Sequence, residues 1–469
     1  MSVLEESIRI MTTQRKYTWA FLLPLFVAGC ATYRVSPLPD KADLANSLTP
    51  QIMSKIGDER VLPKHTVKLA YGLDMTETAM LAVLRNPDLK VERSKQDVAA
   101  AEAFAAGLLP DPQLSGNLDH PTTAGYMNGY GAGLTFDLRA IFTHSAAVAI
   151  AREKQKSMNM GILWQEWQTI QQARSLYAQK YFAAQKLRLL QNTVALYEVQ
   201  SAHAQRALKS GDATLDQAGS ALVALMDARG QRDAQQRALL DIDHKLDALL
   251  DLSSDVDVPL QSLSNPSMPT NDDVYAALVQ LPQHRPDLIA LQAAYASQEE
   301  QLYKAVLEQF PDISIGFNTG RDTSGVHSIG PAVSLGLPIF NGSRGQIAVA
   351  KATRAELRQQ YQARLDQAHS DALTLWRQTQ LIARQIKNVQ KAIPRLQSLA
   401  KRAGHAYSAG DFPAQTYVAV ESGLLTKKME YLDLRQALWT NRIALDTLLA
   451  WPPDFIAVRN QEREKIHAH

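Results

Sequence analysis

A single cysteine, Cys30, is the only thiol in this chain of 469 residues. That excludes an intramolecular disulfide and any zinc site built from thiolates. Long apolar runs are missing too. After the first 30 positions, no stretch reaches the roughly 18 residues that a membrane-crossing helix needs. Neither sign of charge dominates: 49 Lys and Arg stand against 47 Asp and Glu, a net +2. Nothing in that balance invites a nucleic acid or another polyanion. The signatures of catalysis are also absent, with no HExxH, nucleophile elbow, P-loop or GxGxxG in a strand–helix context. The 11 histidines are scattered, apart from His467 and His469 at the end of the chain. Met158 and Met160 flank Asn159, a spacing better suited to helix packing than to a soft-metal relay. These absences describe a chain that is not an enzyme and needs no cofactor and no metal.

The lone cysteine sits in an informative place. Arg15 and Lys16 are followed by an almost wholly apolar run from Tyr17 to Val27, and then by Ala28-Gly29-Cys30. This is the layout of a secretory signal. Val27-Ala28-Gly29-Cys30 is similar to a bacterial lipobox, which makes Cys30 the expected lipidation site. Ala31 follows rather than an aspartate, and by resemblance to bacterial lipoproteins that implies sorting to the outer membrane. Residues 1–29 are thus a signal peptide with a polar extension, and Met1 or Met11 is the start. Residues 30–68, with Pro37, Pro39, Pro50 and Pro63, are an extended lead.

The rest of the chain repeats. Pro87-Asp88-Leu89 returns as Pro286-Asp287-Leu288, an offset of 199 residues. Gly211-Asp212 returns as Gly410-Asp411 at the same offset, and Leu246-Asp247-Ala248-Leu249-Leu250 as Leu445-Asp446-Thr447-Leu448-Leu449. One structural unit has been built twice. The first copy covers 69–250, a linker covers 251–271, the second copy covers 272–450, and 451–469 is a polar tail.

Each copy holds a helix, two short strands around a loop, and a long helical hairpin. In copy one the strands are expected at about 112–120 and 130–138, where Leu134, Phe136 and Leu138 alternate with Gly133, Thr135 and Asp137. In copy two they are expected at about 312–318 and 329–337, where Ile313, Ile315 and Phe317 alternate with Ser314, Gly316 and Asn318. Arg321, Asp322 and Gly325 lie in the loop between them. Apolar side chains would face lipid, and small or polar ones a lumen. A soluble hairpin with one buried face shows the same alternation. The helical hairpins are expected at about 144–250 and 345–449. From His144 to Lys209 there is no proline and one glycine, Gly161; from Gly345 to Ala409 the only proline is Pro394. Such uninterrupted stretches make rods of roughly 95 Å at 1.5 Å per residue, which pack in coiled-coil fashion.

The order and duplication of these segments resemble the TolC-like outer-membrane efflux factors. Asn86-Pro87-Asp88-Leu89 and Arg285-Pro286-Asp287-Leu288 carry the likeness, supported by Leu108-Leu109-Pro110, Leu337-Pro338-Ile339-Phe340 and the two glycine turns. Copy one departs from the pattern, with Arg139-Ala140 where copy two has Pro338. The resemblance implies a mainly α fold with a small β part: long antiparallel helical hairpins form an α-barrel, and four strands per chain join a 12-stranded barrel shared by a homotrimer. It implies a passive duct in the outer membrane, supplied by a periplasmic adaptor and an inner-membrane pump. The tip that meets the adaptor would be Gly211, Asp212, Gly410 and Asp411. Asp212 and Asp411 also suit N-caps of the return helices. A ring of carboxylates favouring cations is the other role open to them. A lipid-anchored coiled-coil protein of the envelope, without a channel, is the alternative to the duct.

Overall fold

The computed structural model describes residues 33–48 and 72–452. Cys30, the signal segment and most of the tail lie outside the described residues. The chain divides after Leu44 into two units. In the first, residues 33–44 carry neither helix nor strand and are exposed.

The second unit is mainly helical with one small antiparallel sheet, the fold class that the sequence predicts. Its elements, in order, are α1 (Met75–Arg85), α2 (Pro87–Ala106), β1 (Gln113–Asp119), β2 (Gly129–Asp137), α3 (Leu138–Ser210) and α4 (Leu215–Leu249). The second copy supplies α5 (Asn271–His284), α6 (Pro286–Leu307), β3 (Asp312–Arg321), β4 (His327–Gly336), α7 (Arg344–Ser408) and α8 (Ala414–Leu448).

Local chemistry sets the helix boundaries. Asp74 and Glu77 close α1 with a reciprocal capping box, each carboxylate accepting from the other's backbone N–H at 2.7 and 2.8 Å. Thr270 and Asp273 do the same for α5. Pro87 and Pro286 each occupy the first turn of a new helix, where the missing N–H costs nothing. The residue before each proline then ties that helix to the end of its own hairpin. Asn86 Nδ2 donates to the Leu249 carbonyl at 3.4 Å, and Arg285 Nη1 to the Leu448 carbonyl at 3.5 Å. Those partners are themselves equivalent across the repeat. Asn86 also caps α2 by accepting from Leu89 N at 2.9 Å. Arg285 instead grips Asp287 through Nε and Nη2, at 2.7 and 3.0 Å, and lies 4.7 Å over the Trp164 ring.

The two copies differ where β-structure hands over to helix. Asp137 ends β2 and its carboxylate caps α3 directly, accepting from Arg139 N at 2.8 Å. Helix therefore begins at Leu138, several residues before His144. In copy two Pro338 has no N–H to offer, and an irregular segment runs to Ser343 before α7 starts. This accounts for a 73-residue α3 against a 65-residue α7.

Each copy builds an equivalent apolar core. Leu73, Met80, Leu81, Leu246 and Leu250 pack together in the first, and Val274, Leu281, Leu288, Leu445 and Leu449 in the second. The copies meet through an apolar cluster of Met75, Tyr177, Ala178 and Ile443, and polar cross-links add to it. Ser157 Oγ donates to the Ala290 carbonyl at 2.8 Å, and Ser297 Oγ to the Ile150 carbonyl at 3.1 Å, locking α3 against α6. The buried Asp446 carboxylate takes Arg174 of α3 at 3.3 Å and Arg442 of its own helix at 2.8 Å. Their side chains are 8% or less exposed, so neither arginine can fall back on water. Removing one partner from such a buried cluster costs about 3–5 kcal/mol. Asp446→Ala should therefore lower the thermal midpoint of the detergent-extracted protein sharply. Exposed Asp241→Ala, which loses one surface pair, should leave it almost unmoved; equal midpoints for the two variants would contradict the assignment.

Candidate functional site: an open sheet and two glycine turns

The sheet runs β1-β2-β3-β4, every neighbouring pair antiparallel. Its register sorts side chains cleanly. Leu114 lies opposite Leu134, Leu134 opposite Phe317, and Phe317 opposite Pro331. Phe136, Ile315 and Val333 form the next row of the same face. On the other face Ser115, Gly133, Asn318 and Gly330 share a row, as do Thr135, Gly316 and Ala332. One face is thus large and apolar, and the other small or polar. Glycine is needed at 316 because a Cβ there would collide with the Leu134 carbonyl oxygen and the Thr135 backbone of the neighbouring strand.

The apolar face is not a buried core. Leu114 is 80% exposed, Phe317 67%, Ile329 81% and Val333 72%. This decides between the two meanings of the alternation, since a soluble hairpin would bury this face. The sheet is also open at both sides: among the described residues β1 and β4 each pair with one neighbour only. The loop beyond β3 is well ordered by its own polar groups. Asp322 Oδ1 accepts from Ser324 Oγ at 2.7 Å and from the N–H of Ser324 and Val326 at 2.9 Å each. These bonds, that of the Ser324 side chain foremost, hold the exposed carboxyl below its ordinary pKa. Arg321, the last residue of β3 and not a loop residue, donates to the Asn128 carbonyl at 2.9 Å, tying β3 to the loop between β1 and β2.

At the far end of the helices the two glycine turns come together. Gly211 and Gly410 both have φ +82°. Gly211 N donates to the Leu208 carbonyl at 3.2 Å and Asp212 N to the Ala207 carbonyl at 2.8 Å. Gly410 N and Asp411 N repeat this with Tyr407 and Ala406, at 3.1 and 2.9 Å. Both are Schellman turns, with the glycine in the left-handed position. Asp212, Gly410 and Asp411 line a single groove of about 740 Å³, beside stacked Tyr407 and Tyr417.

One expectation fails here. Neither aspartate caps a return helix. Thr214 caps α4, in a box with Gln217, and Pro413 stands at the start of α8 with no side-chain cap. A Schellman turn commits the residue after glycine to closing the incoming helix, so the outgoing one starts further on. Asp212 instead accepts from the Ser210 hydroxyl at 2.7 Å. No local sequence signal marks a second groove, of about 940 Å³, between α4 and α8, with Asp216 and Asp227 among its lining residues and Tyr197 on its floor. Burial pushes the Tyr197 hydroxyl up to about 12.

An antiparallel sheet exposing its apolar side, fused to paired helices of this length, defines a channel-type outer-membrane fold. Comparison with known proteins agrees. Residues 277–450 match the family described as outer membrane efflux protein. The cation efflux system protein CusC of Escherichia coli O6:H1 is 24% identical over 400 residues, 78% of this chain and 84% of that protein. Among solved structures, the Campylobacter jejuni CmeC outer membrane channel superposes with a TM-score of 0.68 at 14% identity, over 92% of this chain and 97% of that one. The open state of the Neisseria gonorrhoeae MtrE outer membrane channel gives 0.64 at 15% identity, over 80% and 88%. The TolC-like resemblance drawn from the paired segments is upheld.

The turn geometry makes a direct prediction. No atom lies within 4 Å of a Cβ built on Gly410, so the cost of a side chain there is backbone strain alone. A left-handed L-residue costs about 1–2 kcal/mol, and a β-branched one more. Gly410→Val should speed amide exchange around Ala406–Asp411 by about tenfold or more, with the amides of β2 and β3 unchanged. Unchanged exchange at the turn would refute the strain argument.

Proposed function

We propose that this chain is one third of a trimeric outer-membrane efflux duct. The observation that carries it is the sheet: four strands, two open edges, an exposed apolar face and a small polar one. In hydrocarbon an unpaired strand edge leaves backbone groups without partners, each at a cost of several kcal/mol. Four strands are too few to close a barrel, and three copies supply twelve. β1 of one copy then pairs with β4 of the next. The apolar face meets lipid, and the face bearing Ser115, Gly133, Asn318 and Gly330 lines the lumen. Twelve long helices, α3, α4, α7 and α8 from each copy, continue the wall into the periplasm.

The glycine turns then lie at the periplasmic mouth. Gly211, Asp212, Gly410 and Asp411 meet a periplasmic adaptor, which couples the duct to an inner-membrane pump. With capping set aside for both aspartates, their exposed carboxylates, that of Asp212 also holding the Ser210 hydroxyl, face what passes or docks there. The E. coli relative bears the name of a cation efflux protein; here selection of cargo is assigned to the pump, because the lumen face is lined mainly by hydroxyls, amides and small residues, with the carboxylates of Asp119, Asp137 and Asp312 at the strand ends. Cys30 supplies a lipid anchor that supplements the spanning strands.

Two expectations follow. A lysine on the lipid face at mid-height costs about 2–4 kcal/mol, so Val333→Lys should sharply reduce the inserted protein recovered from outer membranes. Its neighbour Ser334→Lys, on the lumen face, should insert normally and shift single-channel ion preference towards anions. Equal recovery of both would refute the assignment of faces. Palmitate labelling should mark the wild-type chain and not Cys30→Ser, and an unlabelled wild type would end the anchor assignment.

A further inference from the structure

Where the strands meet the helices, a cavity of about 370 Å³ opens between Arg139 and Phe142 of α3, Leu307 at the end of α6, Phe310 just before β3, and Ile313 within it. Its walls are apolar. The one hydroxyl among them, on Thr143, is already donated to the Arg139 carbonyl at 3.0 Å. Phe142 and Phe310, at the rim, are each 68% exposed. Ile313 belongs to the same sheet face as Ile315 and Phe317, so the cavity opens on the lipid side and not on the lumen. Further exposed apolar side chains surround this level, Leu108, Leu109, Ile339 and Phe340 among them. Such a belt marks the interface between hydrocarbon and headgroups.

The single cation in the cavity is incompletely used. Arg139 pairs loosely with Asp312, Nε to Oδ1 at 3.5 Å, and both of those atoms are buried without a hydrogen-bond partner among the described residues. The Nη groups keep four N–H donors for a further anion. An apolar slot with a guanidinium at its edge, at headgroup level, suits an amphiphile with an anionic head, and a fatty chain joined to a phosphate is the one that a bilayer itself supplies. We propose that this cavity binds one acyl chain of a membrane glycerophospholipid, with Arg139 taking the phosphate. This rests on the sheet spanning a bilayer. The acyl chains expected on Cys30 carry no phosphate, so the arginine favours a free phospholipid over the protein's own anchor.

Native mass spectrometry of the full-length protein in mild detergent, incubated with palmitoyl-oleoyl phosphatidylglycerol, tests this. One lipid per chain should survive detergent removal. Leu307→Trp or Ile313→Trp, which fill the slot, should abolish it. Arg139→Gln should bind about tenfold more weakly, the loss of one charge-assisted contact, and should no longer distinguish this lipid from palmitoyl-oleoyl glycerol. Cys30→Ser should bind as wild type does. Retention of lipid by both tryptophan variants, or no lipid on the wild type, would overturn the site. Binding seen only in Cys30→Ser would overturn it too, by showing that the anchor fills the slot. The same spectra report the assembly mass, so failure of the trimer is read separately from failure of the site.

Discussion

Backbone hydrogen bonding in hydrocarbon is the constraint on which the rest of this structure depends. A sheet that turns Leu114, Phe317, Ile329 and Val333 outward cannot live in water without cost. In lipid it cannot live with two open edges. Both conditions are met together when further copies complete the sheet. The proposed closure asks the same of everything beyond the strands, because each chain must hold its strands at the same tilt and height as its neighbours.

The helical part supplies that rigidity through repetition. Each copy anchors the helix that begins at proline to the last turn of its own hairpin, through Asn86 to Leu249 and through Arg285 to Leu448. The copies are then joined by serine hydroxyls between α3 and α6 and by the buried Arg174–Asp446–Arg442 cluster. Small residues such as Ala173, Ala178, Ala368 and Ala372 are buried along the long helices and let backbones approach. The twofold repeat therefore makes two equivalent pairs of rods from one plan, the long α3 and α7 and the shorter α4 and α8.

Much of this was legible in the sequence because the relevant signals are local or periodic. Alternation at Ile313–Phe317 and Val333–Leu337 marks strands, proline-free stretches mark rods, and glycine before aspartate marks the two turns. What was illegible depends on contacts between distant residues or on the demands of a particular turn. Nothing local shows that Arg174 will meet Asp446, 272 positions away. Helix α3 starts earlier than its proline-free stretch implies, because Asp137 both ends the strand alternation and caps the helix. Capping by Asp212 and Asp411 failed because their backbone N–H groups are already spent on the incoming helix. Which face of the sheet is bare could be seen only once the exposure of each side chain was known.

The most direct measurement is the mass of the full-length protein extracted from membranes in mild detergent, by mass photometry. Closure of the sheet between copies predicts a single species of three chains, stable on dilution. A monomer persisting as the stable, membrane-inserted species would contradict the shared barrel, and with it the duct.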